Sequence, residues 1–160
     1  MTAIRSQLRA NLVAGLQTIV GLRPEDGVSV VPIAAPADVF FVPGDKVLGV
    51  CRTGGELAPD HDGALFAPGS QMRKVNFALV MKVDCPLDSA STLTMDGGAE
   101  DLMESACKAI QRVNVGTATT GPVYVEAQAE DVLAHPDRVA GEGGGPIALV
   151  HHFKTTEFEL

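Results

Sequence analysis

Apolar residues recur at Ile4, Leu8, Leu12, Leu16 and Ile19, every three or four positions. This spacing predicts a helix over residues 4–22 with one face buried. Thr2 is its predicted N-cap, Gly21 its stop and Pro24 the barrier beyond it. Short β-branched runs at 28–33 and 47–53 predict two strands, separated by a Pro- and Ala-rich stretch holding Pro36, Pro43 and Gly44. Residues 54–70 are polar, rich in Gly and Pro, and longer than most connections in compact domains. They are the candidate interface loop, with Asp60, His61, Asp62, Leu65 and Phe66 as its contact residues.

The cleanest pattern lies at 73–84. Val75, Phe77, Leu79, Met81 and Val83 alternate with Lys74, Asn76, Lys82 and Asp84, the signature of a strand with one buried face. Ala78 and Val80 make the middle of the other face apolar as well, so a helix or a neighbouring subunit is expected to cover it. A second helix is predicted over 99–114, with Leu102, Met103, Ala106, Ala109, Ile110 and Val113 inward, acids Glu100 and Asp101 in its first turn, and Lys108 and Arg112 in its last. A strand follows at 123–128, then a turn-rich segment over 129–145, then a long strand over 147–158. The order predicts one α+β domain over 1–160: a single mainly antiparallel or mixed β-sheet with two helices packed on it.

With 160 residues, 46% of them hydrophobic and 20% charged, the chain can build a core, which excludes wholesale disorder and collagen-like readings. A net charge of −8 repels phosphate backbones, and 4% aromatics without Trp supply few stacking platforms, so sequence-specific nucleic-acid binding is not expected. The negative charge concentrates late in the chain: Glu126, Glu130, Asp131, Asp137 and Glu142 stand against Arg138 alone between positions 126 and 142. No apolar run approaches the roughly 18 residues a membrane helix needs, and no signal core is evident, so a soluble intracellular chain without membrane contact is expected.

Few residues carry a recognisable chemical signature. Asp60, His61 and Asp62 are metal-ligand types, but adjacent loop residues rarely converge on one ion without remote ligands. His151 and His152 are neighbours on a predicted strand and point to opposite faces. Cys51, Cys85 and Cys107 fit neither a disulfide framework nor a metal knuckle, and Cys107 falls on the apolar stripe of its helix. Gly141 to Gly145 precede a strand where a phosphate cradle would open a helix, and Gly97 and Gly98 are surrounded by acids. No catalytic, cofactor or metal residue is therefore assigned.

The order of elements resembles the tail terminator proteins of tailed bacteriophages, including Mu-like prophage minor tail proteins: an amphipathic helix, strands split by a long loop, the alternating strand at 73–84, the helix at 99–114, and a last strand through Ala148, Leu149, Val150, His151, His152 and Phe153. The resemblance implies a non-enzymatic structural protein of the virion tail or neck, assembled in the bacterial cytoplasm. It implies a homo-hexameric ring that caps the tail tube, stops its polymerisation and offers the surface for head attachment. Its partners would be the tail tube protein, the head–tail connector protein and, in a contractile tail, the sheath protein, with no cofactor. In such a ring the acids Glu126, Glu130, Asp131, Asp137 and Glu142 would keep passing DNA from sticking. The alternatives are another head–tail connector or tail-completion protein and, from a different class, a small cytoplasmic enzyme or ligand-binding protein.

Overall fold

In the computed structural model, residues 3–44, 46–57, 72–85, 97–135 and 145–159 are described. The elements are α1 (Ile4–Leu16), β1 (Ser29–Pro32), β2 (Val47–Leu57), β3 (Met72–Cys85), α2 (Gly97–Ile110), β4 (Val125–Ala134), β5 (Gly145–Thr155) and β6 (Phe158–Glu159), with short 3-10 helices at Pro24–Asp26 and Pro36–Phe41. The strands form one mixed sheet in the order β1-β2-β3-β5-β4, with β6 paired to an end of β3. Only β1 and β2 run parallel; every other pair is antiparallel. The predicted α+β class, one sheet with two helices on it, is what the chain adopts.

The alternation at 73–84 places β3 at the centre. Its odd-numbered residues Val75, Phe77, Leu79, Met81 and Val83 are buried beneath both helices, against Leu8, Leu12 and Leu16 of α1 and Met103, Ala106 and Ile110 of α2. Asn11, inside α1, donates from Nδ2 to the Val115 and Gly116 carbonyls at 3.0 and 3.2 Å. Asn114 takes up the neighbouring donors: its Oδ1 accepts the Gly116 and Val123 N–H groups at 2.9 and 3.0 Å. Two asparagines thus satisfy the loop that carries the chain from α2 to β4, where Gly116 has no room for a Cβ against the Gly121 carbonyl.

The second face of β3 is covered by the chain itself. Ala78 and Val80 join Val47, Cys51, Ala148 and Val150 in a separate buried cluster, closed by Ile33, Val39 and Phe40. Val39 and Phe40 belong to the 3-10 helix Pro36–Phe41, which Pro36 opens and Asp38 caps by accepting the Ala35 N–H at 3.0 Å. Lys82 Nζ, reaching out of β3, donates to the Val42 carbonyl at 2.8 Å and anchors the end of this cover. Of the two expected covers, then, the helix is found, in the stretch read from the sequence as a separator. The two-faced apolar pattern of β3 gives no argument for a neighbouring subunit.

Several boundaries differ from expectation. Helix α1 ends at Leu16 because Thr18 and Ile19 bond back three residues, to Gly15 and Leu16, and the Thr18 hydroxyl also donates to the Gly15 carbonyl at 2.7 Å. The apolar spacing continues through this turn because Ile19 and Leu22 still pack on the core. Ala3, without a side-chain cap, holds the N-cap position; Thr2 lies outside the described residues. Strand β2 runs on to Leu57 past an irregularity between Arg52 and Gly54, so residues 54–57 of the predicted loop are strand, and 58–70 lie outside the described residues. Helix α2 ends at Ile110, four residues early, in turns through Arg112 and Val113. The last strand is broken in two, since Thr155 Oγ1 accepts the Val75 N–H at 2.9 Å and the Thr156 N–H turns to the Tyr124 carbonyl.

The largest correction concerns 129–134, predicted as turn and found as strand. Strand β4 extends from Val125 to Ala134 with a bulge between Ala127 and Ala129. Almost all of it is exposed on both faces, so no alternation marks it; the backbone ladder to β5 holds it in place. Among the described residues no helix is long and apolar enough to cross a membrane.

Candidate functional site

The helix layer ends before the sheet does. Helix α1 packs over β1 and β2, and α2 over β5, and beyond Val125 the strand β4 is left exposed. The result is a groove of about 750 Å³ between α2 and β4. Its floor is apolar, formed by Met103, Cys107, Ala127, Val132 and Leu149, and Val132 is 61% exposed. Gln111 closes one end: it donates to the Cys107 carbonyl at 3.0 Å and accepts the Ala127 N–H at 3.3 Å, tying α2 to the start of β4.

Acids rim the groove. Glu100, Asp101 and Glu104 come from α2, and Glu130 from β4. Against them stand Lys108, held 2.8 Å from Glu104, and His151, whose Nδ1 lies 3.7 Å from Glu130. The Glu104–Lys108 pair lowers the carboxyl's pKa and raises the ammonium's, chiefly through their hydrogen bond. Its exposed position gives it little weight in stability.

The histidines behave as strand geometry requires. His151 turns into the groove with Leu149, whereas His152, one residue on, faces away and sits 3.0 Å from Asp131. The acids of β4 therefore share an edge rather than a face: Glu130 registers with His151 on the helix side, while Glu126 and Asp131 register with Lys154 and Val150 on the other. All three are exposed. Asp137 and Glu142 lie outside the described residues, as do Asp60, His61, Asp62, Leu65 and Phe66.

Cys107 and His151 line one groove, which raises the question of a thiol nucleophile. The electrostatics oppose it. Burial pushes the Cys107 thiol up to about 12, and Glu130 and Glu104 push in the same direction. A reactive thiolate needs cations or a helix N-terminus nearby, whereas this one meets carboxylates. Cys51, buried in the second cluster, is likewise raised to about 11 by burial. Among the described residues no three His, Cys, Asp or Glu side chains gather into a metal-sized group. The groove combines an apolar floor with an acidic rim.

Helix α1 lies at the opposite edge of the sheet, over β1. Helix α1 contains Arg5 and Arg9 and no acid. Neither arginine meets a carboxylate among the described residues. Beside Arg9, a shallow depression of about 280 Å³ runs along Ser6, Ala10, Val13 and Ala14 to Pro32 of β1. The sequence signal for both ends was present, in one-signed charge on α1 and acids in the first turn of α2. The acids of α2 were read there as helix-dipole pairing.

The arrangement defines an α+β protein with one mixed sheet, a two-helix layer on one face and a short 3-10 cover on the other. Over its full length it is similar to a chain of the solved structure described as "Virion of native gene transfer agent (GTA) particle", with a TM-score of 0.57, 12% identity and complete coverage of both chains. At that identity the likeness is one of fold. No family model matches the sequence, and no curated protein does.

Proposed function

We propose that this chain is a structural subunit of a phage-type virion and, within that class, a tail terminator: a hexameric ring that caps the tail tube, stops its polymerisation and presents the surface for head attachment. The observation that carries the reading is the match in fold with a chain of a gene transfer agent virion, which covers both chains completely. The upward shift of the Cys51 and Cys107 thiols, caused chiefly by burial, agrees with a protein that works by contact. In this reading Asp60, His61, Asp62, Leu65 and Phe66 contact the tube or a neighbouring subunit. Glu126 and Asp131, with Asp137 and Glu142, form the wall that does not hold DNA.

The test is assembly on tubes. The purified chain is mixed with tail tubes grown from the tube protein of the same genome, and particles are sized by light scattering and viewed by electron microscopy. The expected outcome is a six-subunit ring of about 100 kDa on tube ends, with elongation arrested. Tubes that keep growing and carry no density at their ends would overturn the proposal.

A further inference from the structure

We infer that the groove over β4 is the socket for α1 of a second copy, so that subunits join head to tail, basic helix into acidic groove. The inference rests on the ring reading above and names the joint that builds it.

Coverage is the first argument. Strands in a sheet lie about 4.8 Å apart and a helix with its side chains is about 10 Å wide, so each helix covers roughly two strands. Two helices cannot cover the five strands of the path β1-β2-β3-β5-β4, and the strand left bare is β4, with Val132 in the open. One further helix beside α2 would complete the layer. Within the chain α1 is already seated over β1 and β2, but Ser6, Ala10 and Ala14 on its outer face are exposed, with no other described element seated on them.

Charge is the second. The rim contributes Glu100, Asp101, Glu104 and Glu130, and among the described residues only Glu104 has a lysine partner. Helix α1 offers Arg5 and Arg9, half-buried and without a carboxylate partner among the described residues. Ser6, Ala10 and Ala14 follow one another on its exposed face, small enough to let another backbone approach closely.

Position is the third. The helix lies over β1, at one edge of the sheet, and the groove lies over β4, at the other. A contact between unlike surfaces at opposite edges repeats from copy to copy and closes when the rotation per step permits. Joining by strand addition at the β1 edge is disfavoured, because that edge has four residues and one of them, Pro32, lacks an N–H. The joint therefore forms in the helix layer.

Charge reversal tests this. One variant carries Arg5→Glu and Arg9→Glu, the other Glu104→Lys and Glu130→Lys; all four positions are at least partly exposed, and thermal melts confirm that each monomer folds. Each variant alone should fall from the ring mass of about 100 kDa to 16.7 kDa by light scattering. Mixed one to one they should form rings again, since each joint then pairs opposite charges. Rings that persist in both single variants, or a mixture that stays monomeric, would overturn the joint while leaving the ring reading in place. Rings that persist while the groove variant alone loses the tube would put the tube protein in the socket and overturn the joint as well. A wild-type chain that is monomeric both alone and on tubes would overturn both readings together.

Discussion

Truncating Phe40 tests whether the second face of the sheet is closed from within. The side chain is 8% exposed and closes the cluster over Ala78, Val80 and Val150. Its ring also stands edge-on to His135, with centroids 5.0 Å apart and an interplanar angle of 76°. Removing a buried phenyl costs about 3–5 kcal/mol in transfer and cavity terms. The aromatic contact accounts for about 0.5–1.5 kcal/mol in comparable pairs. Because this cover is a short 3-10 helix at the edge of a small cluster, and can settle inward, the low end applies: about 3 kcal/mol for Phe40→Ala. With a urea slope of about 2 kcal/mol per molar, the unfolding midpoint should drop by about 1.5 M at unchanged slope. The measurement is equilibrium unfolding followed by circular dichroism at two protein concentrations a hundredfold apart. An intrachain cover makes the drop the same at both. A loss under about 1 kcal/mol, or one that appears only where subunits associate, would refute the assignment and return this face to a neighbouring subunit.

Asn11→Ala should lower stability by about 1–3 kcal/mol, since the Val115 and Gly116 carbonyls lose their side-chain donor; a thermal melt lower by several degrees would register it, and an unchanged melt would mean that water replaces the amide. In a Cys85→Ser background, Cys51 and Cys107 should resist a thiol reagent at pH 8 and react fully once urea unfolds the chain, because burial holds both thiols well above the ordinary value of 9.0. The same shifts imply that stability falls as pH rises from about 9 toward 11, where the unfolded chain releases protons the folded chain keeps. A double Cys51→Ala, Cys107→Ala variant should flatten that alkaline limb.

What could be read in advance followed burial. Strand β3 was legible almost to the residue because its inward side chains alternate against a filled core. The apolar stripes of both helices were legible too, though not where the helices stop. Thr18 and Thr155 redirect backbone hydrogen bonds through their hydroxyls, a choice that apolar spacing does not record. Strand β4 was missed beyond Gln128 because Ala129, Glu130 and Asp131 are exposed and have no strand preference of their own; they follow the ladder set by β5. The cover at Pro36–Phe41 was missed because the prolines and alanines in and around it suggest a linker, while Val39 and Phe40 supply the apolar surface that Ala78 and Val80 require. The groove depends on where two helices run out over five strands, a property of layers that no single segment carries.

The placement of β5 also bears on how the chain is made. Residues 145–155 are the next-to-last strand to be synthesised, yet they lie between β3 and β4 and pair with both. Until they leave the ribosome, β4 has no partner in the sheet, β3 keeps one edge bare, and Phe153 is missing from beneath the helices. The sheet therefore closes late, through pairings of long sequence separation. A polypeptide cut short before residue 145 would have neither a closed sheet nor the floor of its groove, and would be a substrate for proteolysis before it could compete for a place in an assembly.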